Sequence, residues 1–170
     1  YEVSVASTAA TYDATDLAAN TTFDYAVTID FTANTVQVSG GTAQTITSSG
    51  VTPVTGITVA TTTGGVTITS TLSSAVRYNL TGTLSGTLTV SSSAACQLYL
   101  NGVTISGSSG PALTLSQAQK AFIVLAGGTT NTLTDSSSRT SGKKAAFYSE
   151  GPAIISGTGT LNVTGNYKHG

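Results

Sequence analysis

Little in this 170-residue sequence is charged, and few of its side chains could bind a metal or form a disulfide. Charged residues make up 8% of the chain and the formal net charge is -1, so the chain lacks the positive field that attracts nucleic acids. One Cys cannot form an intramolecular disulfide, and one Cys with one His cannot make a structural zinc site. The longest apolar runs are short, such as 121-AFIVLA-126, and none could span a membrane as a helix.

Small polar residues are abundant instead. The chain contains 34 threonines, 22 serines and 19 glycines, while 39% of its residues are hydrophobic. That hydrophobic share, spread over many short runs, argues against a disordered chain. Low charge and an excess of hydroxyl side chains are typical of proteins outside the cell, so we expect an extracellular or cell-surface location.

Hydrophobic and polar residues alternate with period two along almost the whole chain. Examples are 26-AVTIDF-31, 57-ITVATT-62, 66-VTITST-71, 87-TLTVSS-92 and 160-TLNVTG-165. This pattern predicts half-buried strands, and no stretch has a convincing helical period. Asn101-Gly102 fits either a tight hairpin or a bend between two faces. The sequence therefore predicts an all-β fold.

Similar stretches recur at intervals of twenty to thirty residues. They open at Tyr78, Leu98, Phe122 and Ala153, with spacings of 20, 24 and 31 residues. The polar segment 135-DSSSRTSGKK-144 reads as an inserted loop that lengthens the last interval. A period in the low twenties with several short strands predicts a right-handed parallel β-helix, and a β-sandwich is the alternative.

The first part of the chain is less periodic than the rest. Residues 1–45 hold most of the acidic side chains, so we predict an N-terminal cap or arm there and β-helix coils over residues 46–170, with an open or truncated C-terminal end. Residues 1–12 alternate well enough to add as a strand to a neighbouring molecule. An open end and an added strand would suit a structural subunit of an extracellular filament or surface array, assembled end to end as a homo-oligomer.

Residues 78–170 resemble a secreted bacterial family of carbohydrate-binding parallel β-helix proteins of the polygalacturonate- and cellulose-binding type. The blocks that carry the resemblance are 98-LYLNGVTISGSSGPAL-113, 120-KAFIVLAGGTTNTLTD-135 and 145-AAFYSEGPAIISGTGTLNVTGNYKHG-170. The resemblance implies a non-catalytic extracellular protein whose partner is a polysaccharide such as pectin or a cellulose-like cell-wall polymer. Family members are often rich in Asp and bind calcium, whereas this chain is poor in acidic residues.

Aromatic and basic side chains are the candidates for sugar contacts. Tyr99 and Tyr148 alternate with apolar neighbours, so their rings could lie outside and stack on sugar rings, and Tyr78 could belong to the same row. A cluster of Arg139, Lys143 and Lys144 on the inserted loop could hold uronate carboxylates. Tyr167 and His169 near the end of the sequence complete the predicted ligand-binding set.

Carboxylates are too few for the usual polysaccharide-cleaving chemistry. Between Phe31 and Gly170 the only ones are Asp135 and Glu150, which are better suited to capping a turn and facing water than to acid–base catalysis. We therefore expect no enzymatic activity. The same two residues are the candidate metal ligands, with calcium as the one cofactor to consider.

Overall fold

The computed structural model describes residues 13–116, 119–140 and 142–168. These residues form strands almost throughout, which confirms the prediction of an all-β protein. The helical parts are two single 3-10 turns, Ala14–Asp16 and Ala18–Asn20. In the first turn, the side chain of Asp13 accepts hydrogen bonds from the backbone N–H and the hydroxyl of Thr15, which lowers the pKa of Asp13.

Fifteen strands follow in the described part of the chain. In chain order they are β1 (Tyr25–Asp30), β2 (Thr35–Val38), β3 (Gln44–Thr45), β4 (Val51–Val54), β5 (Ile57–Thr62), β6 (Gly65–Ser70), β7 (Val76–Ser85), β8 (Thr87–Ser92), β9 (Cys96–Ser106), β10 (Leu113–Leu115), β11 (Ala121–Leu125), β12 (Thr130–Thr134), β13 (Phe147–Ser149), β14 (Ala153–Gly157) and β15 (Thr160–Thr164).

The strands form two mixed sheets that do not close on each other. The nine-stranded sheet runs β14-β11-β9-β7-β1-β2-β3, with β12 and β15 continuing beside the second half of β9. The six-stranded sheet runs β13-β10-β8-β6-β5-β4. Strands up to β6 pair mainly as antiparallel neighbours, whereas all pairs among β6–β15 are parallel. Chain segments twenty to thirty-odd residues apart therefore lie side by side.

The register of the parallel strands differs by one residue from the one expected when the repeated stretches of the sequence are lined up at their first residues. Tyr78 pairs with Leu98 as expected, but Leu98 pairs with Ile123, and Ala153 pairs with Ala121. A shift of one residue moves every side chain to the other face of the sheet. Phe122 therefore lies on the outer face, although it is only 2% exposed. The ring of Phe23 covers Phe122 edge-on, with ring centres 6.2 Å apart. Because this outward position is covered by another ring, it holds a hydrophobic residue, and the sequence alone could not distinguish it from a core position.

Inward-facing residues of both sheets meet in one hydrophobic cluster. It extends from Val27 on β1 to Leu133 on β12, and its members alternate along each strand with residues that face outward. Tyr78, placed in the possible outer tyrosine row above, is a member of this cluster and is fully buried. Burial raises the pKa of Tyr78 because the charged phenolate would lose its hydration. The division of the chain into an N-terminal cap or arm (residues 1–45) and β-helix coils (residues 46–170) remains a prediction.

Asn101-Gly102 is a bend inside β9 and not a hairpin. Residues on each side of the bend pair in parallel with separate segments of β7, and the register shifts by one residue between Leu80 and Gly82. Gly102 has a φ of +73°, which favours glycine. The buried amide of Asn131 accepts hydrogen bonds from the N–H groups of Gly102 (2.9 Å) and Val103 (3.0 Å). The bend thus turns each long strand from one part of the sheet to the next.

Candidate functional site

The predicted basic cluster separates into a buried half and an exposed half. Arg139 belongs to the buried half, with its side chain 2% exposed and that of Asp135 fully buried. The guanidinium of Arg139 donates to the Asp135 carboxylate and to the carbonyl oxygens of Lys143 and Ala145. Such a pair is tolerated inside a protein because each charge is neutralised and hydrogen-bonded. Arg139 is therefore occupied by the loop itself.

Asp135 also fastens the loop to the C-terminal segment. Its carboxylate accepts a hydrogen bond from the backbone N–H of Asn166, and the Asn166 side chain donates to the Asp135 carbonyl oxygen at 2.8 Å. Tyr167 follows, 43% exposed, with its ring centre 5.0 Å from the Arg139 guanidinium carbon. Asp135, Arg139 and Tyr167 are thus brought together in a cluster that closes the loop. His169 lies outside the described residues.

The exposed half of the loop lies against Tyr148. The ammonium nitrogen of Lys143 is 4.7 Å from the centre of the Tyr148 ring and 3.5 Å from a carboxylate oxygen of Glu150. Attraction between the cation and the aromatic ring holds the lysine above the sheet surface. Lys144, next in the chain, is exposed. The structure therefore joins Lys143, Tyr148 and Glu150, which the sequence assigned to separate roles.

A row of threonines leads across the smaller sheet to Tyr148. Thr67, Thr89, Thr114 and Tyr148 are in register on the four neighbouring strands β6, β8, β10 and β13. Because alternate residues face the core, this row lies on the outer face. The row thus places a line of hydroxyl-bearing side chains beside one aromatic ring, and Thr114, the member next to Tyr148, is only 4% exposed.

A groove of about 290 Å³ runs beside this row. We call it the threonine groove. Hydroxyl side chains and one cation line it, and among them are Thr87, Thr89, Ser109, Thr114, Thr140 and Lys143. The hydroxyl of Thr87 donates to the carbonyl oxygen of Pro111 at 2.7 Å, which fixes one wall. The groove can therefore offer many hydrogen bonds and a single positive charge to a polar ligand.

Tyr99 lies on the outer face of the larger sheet, as the alternation predicted. The guanidinium carbon of Arg77 is 4.4 Å from the centre of its ring, and Nε of Arg77 donates to the amide oxygen of Asn79 at 2.8 Å. A cleft of about 530 Å³ opens here between the sheet and the N-terminal segment. We call it the Tyr99 cleft, and its lining includes Leu17, Phe23, Arg77, Gln97 and Tyr99. Tyr99 and Tyr148 thus lie on separate sheets and do not form one row.

Sequence reasoning missed the partners of these two tyrosines. Alternation could have placed Arg77 outside, because it precedes the core residue Tyr78. Only the pairing of β7 with β9 brings Arg77 beside Tyr99, and only the fold of residues 13–24 brings a wall to the cleft. The row of threonines could not be distinguished from the many other threonines in the chain.

No group of three or more His, Cys, Asp or Glu side chains among the described residues could hold a metal ion. Asp135 is bound to Arg139, and Glu150 lies beside Lys143. Calcium binding therefore stays a prediction from the sequence. No described helix has the length and apolar character needed to cross a membrane.

Residues 62–170 match the family described as carbohydrate-binding domain-containing protein, and the chain belongs to this family. Among solved structures, the fold is similar to that of a polysaccharide lyase-like protein from C. thermocellum, determined as a gadolinium derivative. The two are 24% identical with a TM-score of 0.60, over 84% of this chain and 53% of the other. The chain thus spans about half the length of that protein. No curated protein matches the sequence.

Proposed function

We propose that this protein is a non-catalytic, extracellular polysaccharide-binding protein and that the threonine groove with Tyr148 is its binding surface. The observation that carries the proposal is the position of the Lys143 ammonium over the Tyr148 ring, at the end of the row of outward threonines. The expected ligands are pectin or cellulose-like cell-wall polymers. Membership of a carbohydrate-binding family supports this assignment.

The chemistry of the groove suits a sugar chain. Sugar hydroxyls can exchange hydrogen bonds with Ser109 and Thr140, each of which can donate and accept, and can donate to the hydroxyl oxygen of Thr87, whose proton is held by Pro111. The apolar C–H face of a sugar ring can pack on Tyr148, in the way that aromatic side chains bury apolar surface at interfaces. Lys143 adds a charge that would favour a chain bearing carboxylates. No part of this recognition requires a bond in the ligand to be broken.

The distribution of carboxylates supports a binding role over a catalytic one. Asp135 is buried in its pair with Arg139 and holds the Asn166 backbone, so it does not reach either groove. Glu150 lies beside Lys143, and no Asp or Glu is among the described residues that line the threonine groove. Hydrolysis of glycosidic bonds usually uses two carboxylates that flank the bond. We therefore propose a protein that holds the polymer without cleaving it.

We further propose that the two sheets belong to a parallel β-helix. In support, β7, β9, β11 and β14 stack in parallel in one sheet while β6, β8, β10 and β13 do so in the other. From β6 to β11 successive strands therefore alternate between the sheets, and after β12, which also belongs to the larger sheet, the chain crosses to β13 and back to β14, as coils require. In a β-sandwich the neighbours would be mostly antiparallel. An experimental structure that follows the chain through successive coils would decide between the two.

The filament alternative receives no support from the described residues or from the similar proteins. The segment predicted to add as a strand, residues 1–12, lies outside the described residues. End-to-end assembly therefore stays an untested prediction, and particle size by light scattering would test it.

Affinity electrophoresis in gels containing polygalacturonate, xylan or soluble cellulose derivatives tests the proposed function. We expect at least one polymer to retard the wild-type protein, and Lys143→Ala and Tyr148→Ala to weaken the retardation about tenfold each, as the loss of one charged or aromatic contact would. Lys168→Ala is the matched control, because Lys168 is exposed and lies outside the groove.

Three results would contradict parts of the proposal. Absence of retardation by every polymer would overturn the binding function. Retardation that survives both Lys143→Ala and Tyr148→Ala would overturn the groove as the binding surface. Unsaturated sugar products, detected by their ultraviolet absorbance, would replace the binding role with lyase activity.

A further inference from the structure

The Tyr99 cleft contains a buried polar side chain that the fold leaves without a partner. Gln97 is 6% exposed, and its amide makes no hydrogen bond to any described residue. The amide is not among the buried atoms that lack a partner, because it opens into the cleft, where water or a bound molecule can reach it. Because Gln97 lines the cleft, both its donor and its acceptor are available to a molecule bound there.

Other groups in the cleft are also free to contact a ligand. Arg77 uses Nε for Asn79, and its two terminal amino groups donate to no described residue. Beside them, Leu17 is 40% exposed although it is a large apolar side chain, and Phe23 lines the same wall. The cleft therefore combines polar groups that bond to no described residue with exposed apolar surface.

The N-terminal segment is fastened over the sheet in a way that keeps the cleft open. The Lys120 ammonium donates to the Asp16 carboxylate at 2.7 Å and to the carbonyl oxygen of Thr15 at 3.1 Å. Phe23 packs edge-on against Phe122. These contacts fix the segment near both its ends, and the cleft lies between the sheet and the residues held there. Its volume of about 530 Å³ is within the roughly 300–1,000 Å³ of ordinary small-molecule sites.

We infer that the Tyr99 cleft is a second carbohydrate site, and that the protein is bivalent for polysaccharide. A pyranose ring would place its apolar C–H face on Tyr99 and Leu17, and its hydroxyls would satisfy Gln97 and the free amino groups of Arg77. This inference rests on the proposed function, since it assigns a second site to the same class of ligand.

The two sites lie on the outer faces of different sheets. The Tyr99 cleft is on the outer face of the larger sheet, and the threonine groove is on the outer face of the smaller one. Inward side chains of both sheets fill the hydrophobic cluster between them. A stiff polysaccharide chain that lies along one face does not reach the other. Occupation of both sites therefore links two chains, and the protein would act as a cross-linker of the polymer.

Titration calorimetry with tetrasaccharides of galacturonic acid, xylose and glucose tests the number of sites. We expect the wild-type protein to bind two molecules of the recognised tetrasaccharide, and Gln97→Leu and Tyr148→Ala each to weaken one site about tenfold. Gln97→Leu is chosen because leucine is of similar size and removes the amide, which makes no hydrogen bond to any described residue, so the variant should melt close to the wild-type temperature. Tyr99→Ala provides a second disruption of the same cleft.

Turbidity of the polymer solution supplies an independent readout of bivalency. The wild-type protein should produce a maximum of light scattering at an intermediate ratio of protein to polymer, and each single variant should abolish it while retaining one-site binding.

A wild-type stoichiometry of one that Gln97→Leu and Tyr99→Ala leave unchanged would overturn the second site and leave the proposed function intact. A stoichiometry of one that these variants abolish, with Tyr148→Ala unaffected, would overturn bivalency and the threonine groove together. No binding of any tetrasaccharide or polymer would overturn the proposed function and this inference with it.

Discussion

Arg139 and Lys143 are two cations on one loop that the fold uses in opposite ways. Arg139 points inward to a fully buried carboxylate, whereas the Lys143 side chain is 31% exposed beside an outer groove. In the sequence they form one basic cluster with the same apparent role. The comparison teaches that the burial of its partner decides the role of a charged side chain: a cation paired with a buried carboxylate holds the fold, and a cation paired at the surface remains able to bind a ligand. It predicts that stability and binding can be changed separately at these two residues.

The largest expected effect is the loss of stability in Arg139→Ala. Removing the guanidinium leaves Asp135 buried without its cation, which typically costs about 3–5 kcal/mol of unfolding free energy. Urea denaturation of the variant measures this loss. The exposed control Lys168→Ala should stay within about 0.5 kcal/mol of the wild type. A loss below about 1 kcal/mol in Arg139→Ala would mean that water reaches Asp135.

Two isoleucines on the same face of the larger sheet extend the comparison of buried and exposed side chains to the hydrophobic residues. Ile123 and Ile155 are paired in register on β11 and β14, yet Ile123 is 1% exposed and Ile155 is 51% exposed. We expect Ile123→Ala to cost about 2–5 kcal/mol through the cavity it leaves, and Ile155→Ala to cost about 1 kcal/mol or less. Thermal and urea unfolding of both variants measure the difference. Equal losses would show that the last strands are covered in solution.

Lys143→Ala should change stability little and binding strongly. Its cation–π contact with Tyr148 and its ion pair with Glu150 are partly exposed, and such contacts contribute about 1 kcal/mol or less. The same variant should lose most of its retardation by the polymer. Urea denaturation and affinity electrophoresis on one preparation provide both values. A loss of stability as large as that of Arg139→Ala would erase the distinction between the two cations.

The smallest effect is expected at the ion pair of the N-terminal segment. Lys120 and Asp16 are 27% and 41% exposed, so solvent screens their attraction and Lys120→Ala should cost about 0.2–1 kcal/mol. The difference in melting temperature should shrink at high salt, because the Debye length falls to about 3 Å at 1 M. A loss that is large and independent of salt would instead assign Lys120 a role in packing the segment.

Much of the fold could be predicted from alternation, and its failures have definite causes. The strands around 26–31, 66–71 and 87–92 lie where the pattern predicted them. The register failed at Phe122, because a ring buried from outside by Phe23 has the same apolar character as a core residue. Tyr78 was left between two roles, since an aromatic ring suits both a core and a sugar-binding surface.

The candidate site was predicted only as separate residues. Tyr99 was placed outside, and Tyr148 and Lys143 were both named, but nothing in the sequence joined Lys143 to Tyr148 or Arg77 to Tyr99. These pairs depend on loop geometry and on strands paired across twenty or more residues. Gln97 had no signal, because a glutamine in a strand is ordinary until its burial and its lack of partners are known.

The sequence by itself determined the class of fold and the exterior chemistry of this protein. Period-two alternation and the scarcity of helical patterns require strands, and the excess of threonine and serine requires a hydroxylated surface. Tertiary structure alone decided which charges are buried, which aromatic rings stay accessible and which polar groups lack partners. The physical reason is that burial and pairing depend on neighbours brought together by strand register, and one residue of register exchanges the inner face for the outer.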